Sequence, residues 1–175
     1  MIIDVVMPVK EGRYLPQKVL ISLLQQGIPF RLFVSTKVSN GDYPAARNNI
    51  KQYGHSEFVL MLDNDIVLPD GALSQLIDFL QSHREYAAIG LPKQDFSAMG
   101  REWHLHAPHV DMSCVLFRGE VLKQLTFRWP PPGENADTGG CECGQACRDL
   151  RRMGWEIGFL PGGWAEHIVQ TEAYQ

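Results

Sequence analysis

Short apolar runs alternate with helical segments along the first half of the chain. The apolar runs cover residues 2–7, 30–35, 58–62 and 87–91. Their length and composition are typical of buried strands. The segments between them predict helices over residues 14–27, 45–53 and 71–83. This alternation predicts an α/β fold with a mostly parallel central sheet flanked by helices on both faces.

The second half of the chain is less regular. Residues 93–109 and 129–140 are predicted to be loops, the latter because it contains three consecutive prolines. Two strands are predicted at residues 110–117 and 155–160, and two helices at residues 118–125 and 142–153. Because no internal repeat is present, we predict a single domain over residues 1–175.

The composition argues against several classes of function. The net charge of -4 provides no general positive field for nucleic acid. No apolar stretch approaches the roughly 20 residues of a membrane helix, and the N-terminus lacks the features of a signal peptide. Four cysteines in 175 residues do not make a disulfide scaffold. We therefore expect a cytoplasmic protein with no nucleic-acid partner and no integral membrane segment.

Two aspartates follow the third predicted strand directly, in Asp63-Asn64-Asp65. Open α/β sheets collect functional groups at the carboxyl ends of their strands. Two carboxylates so close together are costly without a positive partner, and a hard divalent cation carrying a phosphorylated ligand would be such a partner. Acidic residues after a strand also commonly begin a turn. The motif alone therefore leaves a metal site and a simple turn as alternatives.

Cysteines and histidines form two further patterns. The cysteines are Cys141, Cys143 and Cys147, and the histidines form His-x-His-x-x-His at residues 104–109. Both residue types bind zinc, but neither spacing is that of a zinc finger or ribbon. Cys143 and Cys147 lie four residues apart on one helical face, which also suits small thiols in a core. Structural zinc and core packing are both open for these residues.

The order of motifs resembles nucleotide-sugar glycosyltransferases of the GT-A fold, nearest to glycosyltransferase family two. The resemblance covers nearly the whole chain, and it is carried by the order and spacing of motifs that are individually common. These motifs are Pro8-Val9, Ala46-Arg47-Asn48, residues 58–71, residues 113–122 and residues 140–155. The resemblance implies one GT-A domain, in which residues 1–92 bind the nucleotide sugar and residues 93–175 bind the acceptor and catalyse transfer.

The resemblance also implies a bound Mn²⁺ or Mg²⁺ ion. Asp63 and Asp65 would hold the ion, with Asp65 its direct ligand and Asp63 nearer the ribose, and the ion would neutralise the diphosphate of the donor. His167 follows the last predicted strand, where some GT-A enzymes place a metal-binding histidine. An imidazole ligand would favour Mn²⁺. The alternative for His167 is an ordinary surface or core histidine.

Several residues are implied to contact the nucleotide sugar. Arg47 is similar to the family's arginine near the base or phosphates, and its alternative is a solvated helix residue. Pro8 and Val9 resemble the loop that borders the nucleobase. The implied set is Pro8, Val9, Glu11, Arg47, Asp63 and Asn64. A UDP-sugar is the favoured donor, although the acid that usually contacts the base after the second strand is absent.

Glu142 is implied to be the general base. Inverting transfer needs a carboxylate to take the proton of the acceptor hydroxyl. Cys143 stands where the family has a second acid, and Glu134 and Asp137 are reserve carboxylates. We therefore predict a metal-dependent, hexosyltransferase-type enzyme that moves a sugar from a nucleoside diphosphate sugar to a glycan or other hydroxyl acceptor. Inversion is expected, but retention stays open. The alternative is a catalytically weak or inactive GT-A-like protein that binds a sugar nucleotide or glycan.

Overall fold

The computed structural model describes residues 1–10, 13–38, 42–93, 109–133 and 140–168. Its strands are β1 (Ile3–Lys10), β2 (Phe30–Val38), β3 (Phe58–Leu62), β4 (Ile66–Val67), β5 (Tyr86–Gly90), β6 (Cys114–Arg118), β7 (Glu156–Phe159) and β8 (Glu166–His167). Its helices are α1 (Gln17–Gln25), α2 (Tyr43–Lys51), α3 (Ala72–Ser82), α4 (Gly119–Gln124) and α5 (Glu142–Arg152). The predicted helices and main strands are therefore present, with shifted ends.

Six of the strands form one sheet in the order β2-β1-β3-β6-β5-β7. Strand β1 is parallel to both β2 and β3, and β5 is parallel to β7. Strand β6 is antiparallel to its two neighbours, β3 and β5. The predicted α/β fold with a mostly parallel sheet is confirmed, with one reversed strand near its centre.

Helices cover both faces of this sheet, as the sequence predicted. Alternate residues of β3 point to opposite faces, so Leu60 packs in one core cluster and Met61 in the other. The first cluster contains apolar residues of α1 and α3, including Val19 and Leu76. The second contains residues of α2, α4 and α5, including Leu150. All five residues of β3 are buried because both of its faces are covered.

Strand β1 continues through Pro8, where the sequence predicted its end. Proline has no N–H to give to a ladder. The pairing of β1 with β2 shifts register between Pro8 and Lys10. The named pairs with β3 run only from Asp4 to Val6, so Pro8 lies beyond them. Proline is therefore tolerated in the strand at an irregular position.

The predicted strand over residues 110–117 begins later than expected, at Cys114. Asp111 accepts a hydrogen bond from the Ser113 backbone N–H at 2.8 Å and another from the Ser113 hydroxyl. This short-range bonding forms a turn that competes with strand pairing. The prediction was wrong for the first four residues, because alternation of apolar residues alone did not reveal the turn.

A small second sheet was not predicted. Strand β4 pairs with β8 in antiparallel orientation, with Ile66 opposite His167 and Val67 opposite Glu166. Each strand has only two residues, too few to give a periodic sequence signal. This pairing fixes the chain near residue 167 beside the segment that follows β3.

Among the described residues, no helix combines the length and apolar character needed to cross a membrane.

Candidate functional site

The site lies at the carboxyl end of β3. The Asp63 backbone N–H donates to the Ser113 carbonyl at 2.7 Å, and the Ile66 N–H closes a turn on the Asp63 carbonyl at 3.3 Å. In the parallel pairing of β1 with β3, Val6 lies opposite Met61. Pro8 is two residues further on, level with Asp63. The ends of both strands therefore meet at the same edge of the sheet, as expected for parallel strands.

Arg47 connects two carboxylates in this site. It lies in α2, whose N-cap Asp42 accepts a hydrogen bond from Ala45 N–H at 3.3 Å. The Arg47 Nη1 donates to Asp63 Oδ1 at 3.2 Å and to the Met112 carbonyl at 3.1 Å. Its Nε lies 3.5 Å from Glu142 Oε1. The guanidinium is only 4% exposed, so Arg47 is not the solvated helix residue that was its alternative.

Glu142 lies in the first turn of α5 and is 5% exposed. The Cys143 thiol donates to its Oε1 at 3.3 Å. An acidic residue in the first turn is favourable for the helix because it faces the positive end of the dipole. The structure thus brings Asp63, Arg47 and Glu142 together, although they are far apart in the sequence.

Asp65 and His167 form a second, more open pair. His167 Nε2 lies 3.4 Å from Asp65 Oδ2, and the side chains are 26% and 31% exposed. The Ile168 N–H donates to the Asp65 carbonyl at 2.8 Å, which extends the β4–β8 pairing to the aspartate. Two of the three residues predicted to hold the metal, Asp65 and His167, are therefore in contact, although they are far apart in the chain.

The electrostatics of Asp63 are unfavourable for its charge. Burial raises the pKa of this carboxyl group, and the negative charges of Asp111 and Asp65 raise it further. The Arg47 guanidinium opposes these effects without cancelling them. The pKa of Arg47 is raised, because the attraction of Asp63 and its other acidic neighbours outweighs the effect of burial. A further positive charge at this edge would relieve the repulsion.

Two charged residues of this region were missed by the sequence analysis. Lys93 Nζ lies 2.9 Å from Asp111 Oδ2. Burial lowers the pKa of Lys93, but the attraction of Asp111, Asp63 and Asp65 produces a net increase. Burial raises the pKa of Asp111, but Lys93 and the Ser113 hydrogen bonds lower it overall. Neither residue stood out in the sequence, since Lys93 begins the predicted loop over residues 93–109 and Asp111 lies inside the predicted strand over residues 110–117.

The remaining predicted contacts are placed as follows. Asn64 donates through its side-chain amide to the Tyr14 carbonyl at 3.3 Å. Pro8 is half-buried and Val9 is buried. Glu11 lies outside the described residues, as do the reserve carboxylates Glu134 and Asp137 and the histidines at 104 and 106.

Some of the possible metal ligands at this edge of the sheet suit a hard divalent cation. Asp65 offers a half-buried carboxylate and His167 an imidazole, which suit Mn²⁺. Asp63 pairs with Arg47 instead, and the described residues show no compact group of ligand atoms from Asp63, Asp65 and His167 together. Two protein ligands with an open face are consistent with an ion that takes its other ligands from a phosphorylated molecule and water.

A separate cluster lies beside Glu142. The Cys141 thiol contacts His109 Nε2 at 3.2 Å. The ligand atoms of His109, Cys141 and Cys143 all lie within 4.8 Å of one another. Hydrogen bonds from Cys143, His109 and the Gly144 N–H lower the pKa of Cys141 to about 4 against the effect of burial. The sequence patterns had separated this histidine from the two cysteines.

The fold is similar to that of solved glycosyltransferases. A mannosyltransferase from Pyrobaculum calidifontis, in complex with GDP-Man and Mn²⁺, has a TM-score of 0.71 and 16% identity, covering 99% of this chain and 58% of that chain. TarS 1–349 from S. aureus has a TM-score of 0.66 and 16% identity, and the match covers 96% of this chain and 60% of that chain. The complex of TarS 1–349 with UDP-GlcNAc has a TM-score of 0.62 and 16% identity, and the match covers 100% of this chain and 62% of that chain. The chain therefore spans less than two thirds of these structures.

Identity this low shows similarity of fold alone. No curated protein sequence gives a significant match. The family comparison is more specific, because residues 17–143 match the model of Glycosyl transferase family 2. That match covers well over half of the chain and contains Arg47, Asp63, Asp65 and Glu142. The chain belongs to glycosyltransferase family 2.

Proposed function

We propose that the protein transfers a sugar from a nucleoside diphosphate sugar to an acceptor hydroxyl, with inversion and with the help of Mn²⁺ or Mg²⁺. The observation that carries this proposal is the meeting of Asp63, Arg47 and Glu142 at the sheet edge that also holds the Asp65–His167 pair. Membership of glycosyltransferase family 2 supports it. Residues 1–92 would form the donor half and residues 93–175 the acceptor half.

In the proposed donor site, Asp65 and His167 would hold the ion, and Asp63 would face the ribose. The bound ion would neutralise the diphosphate and stabilise the departing nucleoside diphosphate. Pro8, Val9, Glu11 and Asn64 complete the proposed contacts to the nucleotide sugar. The parallel pairing of β1 with β3 up to Val6 and Met61, two residues before Pro8 and Asp63, supports a common site.

The nucleobase is proposed to be uracil. The structural neighbours bind either GDP-Man or UDP-GlcNAc, so the fold accommodates both kinds of donor. A donor panel for this protein therefore needs both nucleotides.

In the proposed transfer step, Glu142 takes the proton of the acceptor hydroxyl while the hydroxyl oxygen attacks the sugar carbon. The bond from that carbon to the diphosphate oxygen breaks, and the nucleoside diphosphate leaves. Arg47 contacts both Asp63 and Glu142 with one guanidinium, which would fix the distance between the donor side and the acceptor side. A planar arginine fork suits this task, since its N–H donors have fixed directions and here meet both carboxylates and the Met112 carbonyl.

One observation favours the alternative of a binding protein. Glu142 is 5% exposed and already contacts Arg47 and the Cys143 thiol. A general base must reach the proton of its substrate, so Glu142 would have to become accessible when an acceptor binds. A protein that binds the donor but leaves Glu142 enclosed would bind a sugar nucleotide without transferring the sugar.

The experiment measures nucleoside diphosphate release from a panel of UDP- and GDP-sugars, with Mn²⁺ or Mg²⁺ and mixed hydroxyl acceptors. Donor binding is measured in parallel by calorimetry. We expect release that depends on metal and acceptor. Glu142→Gln should retain donor binding and reduce release about 10²–10⁴-fold. Glu120→Gln is the matched control, because Glu120 is an exposed helix glutamate away from the site.

The outcomes separate the alternatives. Metal-dependent donor binding without release, over a broad acceptor panel, would support the binding protein. Absence of donor binding with every nucleotide sugar would refute both sugar transfer and sugar-nucleotide binding, and only glycan binding would be left. Equal loss of release in Glu142→Gln and Glu120→Gln would refute only the role of Glu142 as the general base.

A further inference from the structure

His109, Cys141 and Cys143 form a compact group of metal-binding side chains. Their ligand atoms lie within 4.8 Å of one another, and His109 Nε2 is 3.2 Å from the Cys141 sulfur. His109 precedes β6, whereas the two cysteines lie at the start of α5. The group is therefore assembled by the tertiary structure from segments that are 32 positions apart.

These distances suit a tetrahedral zinc ion. Zn²⁺ binds thiolate sulfur at about 2.3 Å and imidazole nitrogen at about 2.0–2.1 Å, which places neighbouring ligand atoms roughly 3.5 Å apart. The separation of 3.2 Å between His109 Nε2 and the Cys141 sulfur is close to this value, and the Cys143 sulfur lies within 4.8 Å of both atoms. Two thiolates and a neutral imidazole would balance the two charges of the ion, so the loaded site would be neutral.

The backbone holds the two cysteines in place. Cys141 is the N-cap of α5, and its sulfur accepts a hydrogen bond from the Gly144 N–H at 3.3 Å. Cys143 follows in the first turn. His109 and Cys141 are only half-buried, so an ion could reach them from solvent.

Cys147 provides an internal contrast. It lies one turn further along α5 and is completely buried. Its sulfur accepts from the Val110 N–H at 3.3 Å and donates to the Val110 carbonyl at 3.6 Å. Cys147 therefore has the contacts of a core thiol, and it is not in the group formed by His109, Cys141 and Cys143.

We propose that His109, Cys141 and Cys143 bind Zn²⁺ and are the three ligands that the described part of the chain gives to the ion. Soft thiolate ligands distinguish this site from the oxygen-rich edge at Asp65. Glu142 lies beside it, since its Oε1 is 3.3 Å from the Cys143 sulfur. The proposal does not depend on sugar transfer.

The test titrates reduced, metal-free protein with Co²⁺ and follows the absorption band of the thiolate–cobalt bond. Zn²⁺ affinity is then measured by competition with a chromophoric chelator. We expect one equivalent of Co²⁺ to produce the band and one equivalent of Zn²⁺ to remove it. Cys141→Ser and Cys143→Ser should each reduce the band and weaken Zn²⁺ binding more than about tenfold. Serine at position 141 can still cap the helix, which protects the fold.

Two control variants make the result specific. Cys147→Ser should retain the band, because this thiol is outside the group. Asp65→Asn should also retain the band, because Asp65 belongs to the metal site proposed for sugar transfer. Failure of that site could therefore be distinguished from failure of the zinc site. The proposal is overturned if fully reduced protein gives no thiolate–cobalt band. It is also overturned if Cys147→Ser loses the band as completely as Cys141→Ser does.

Discussion

Two aspartates at opposite ends of the sheet differ in how their charge is compensated. Asp4, near the start of β1, has no exposed surface. It accepts hydrogen bonds from Arg31 Nε at 2.7 Å and from the backbone N–H groups of His55 and Ser56 at 2.6 and 2.8 Å. Burial raises the pKa of Asp4, but these donors lower it overall. Asp4 is therefore a satisfied carboxylate.

Asp63, at the end of β3, has the opposite balance. Its side chain is 28% exposed and has Arg47 as an ion-pair partner, but Asp111 and Asp65 contribute negative charge, and its pKa is raised. The more exposed carboxylate is thus the less stable one in its charged form. The comparison indicates that Asp4 serves the stability of the fold, whereas Asp63 is held at a cost that a bound cation would relieve.

The largest expected effect is on turnover. Asp63→Asn should reduce nucleoside diphosphate release on the order of 10³-fold, because the donor site loses a charge on which the transition state depends. The free energy of unfolding at neutral pH should change by less than about 1 kcal/mol, since an amide avoids the repulsion from Asp111 and Asp65. Steady-state kinetics and urea unfolding measure the two quantities.

Asp78→Asn is the control for that variant, because Asp78 is exposed on α3. It should change neither quantity. If Asp63→Asn has a much lower free energy of unfolding than the original protein, then Asp63 stabilises the fold as Asp4 does, and the proposed contrast between the two aspartates is wrong.

The next effect is on stability. Asp4→Asn should lower the free energy of unfolding by about 3 kcal/mol, because the amide keeps one acceptor oxygen instead of two and lacks the charge that attracts Arg31 and the two backbone N–H groups. Turnover per folded molecule should stay unchanged, since Asp4 is at the far end of the sheet. Urea unfolding followed by circular dichroism measures the loss. A variant as stable as the original would show that the hydrogen bonds from Arg31, His55 and Ser56 to the Asp4 carboxylate are not needed for the fold.

A smaller effect is expected at His167. His167→Gln should weaken the apparent affinity for Mn²⁺ roughly tenfold, because one imidazole leaves the proposed shell while Asp65 stays. The dependence of turnover on Mn²⁺ concentration measures this change. His55→Gln is the matched control at the Asp4 end, where the His55 side chain is exposed. Equal Mn²⁺ dependence in both variants would remove His167 from the proposed site.

The smallest effect is a difference in pH dependence. The folded state lowers the pKa of Asp4, so its stabilisation is present above the ordinary value of 3.8 and is lost as the pH falls through the folded value. The folded state raises the pKa of Asp63, so its cost is present at neutral pH and disappears as the pH falls towards 3.8. The charged forms of Asp4 and Asp63 therefore contribute to the free energy of unfolding with opposite signs.

Unfolding free energies between about pH 3 and 7 would show this difference. The deficit of Asp4→Asn relative to the original protein should shrink as the pH falls. Asp63→Asn should be slightly more stable than the original protein at neutral pH, and this advantage should shrink as the pH falls. Parallel curves for the two variants would contradict the assignment of opposite pKa shifts.

The fold was largely predictable because its elements have local signals. The buried strand before Asp63 and the helices after residues 42 and 71 follow from apolar patterning and from turn or capping residues. The errors arose where local patterning was weak or misleading. Pro8 did not end β1, a turn at Asp111 delayed β6, and the two-residue strands β4 and β8 had no periodicity.

The sequence by itself determined the α/β alternation and placed two aspartates at the end of a strand, since both depend on neighbours in the chain. Only the tertiary structure decided which charges meet. It joined Arg47 to Glu142 as well as to Asp63, and His167 to Asp65. It also gave Asp4 its donors and assembled His109 with Cys141. These outcomes depend on strand order and helix packing, because the cost of a buried charge is set by groups that are distant in sequence.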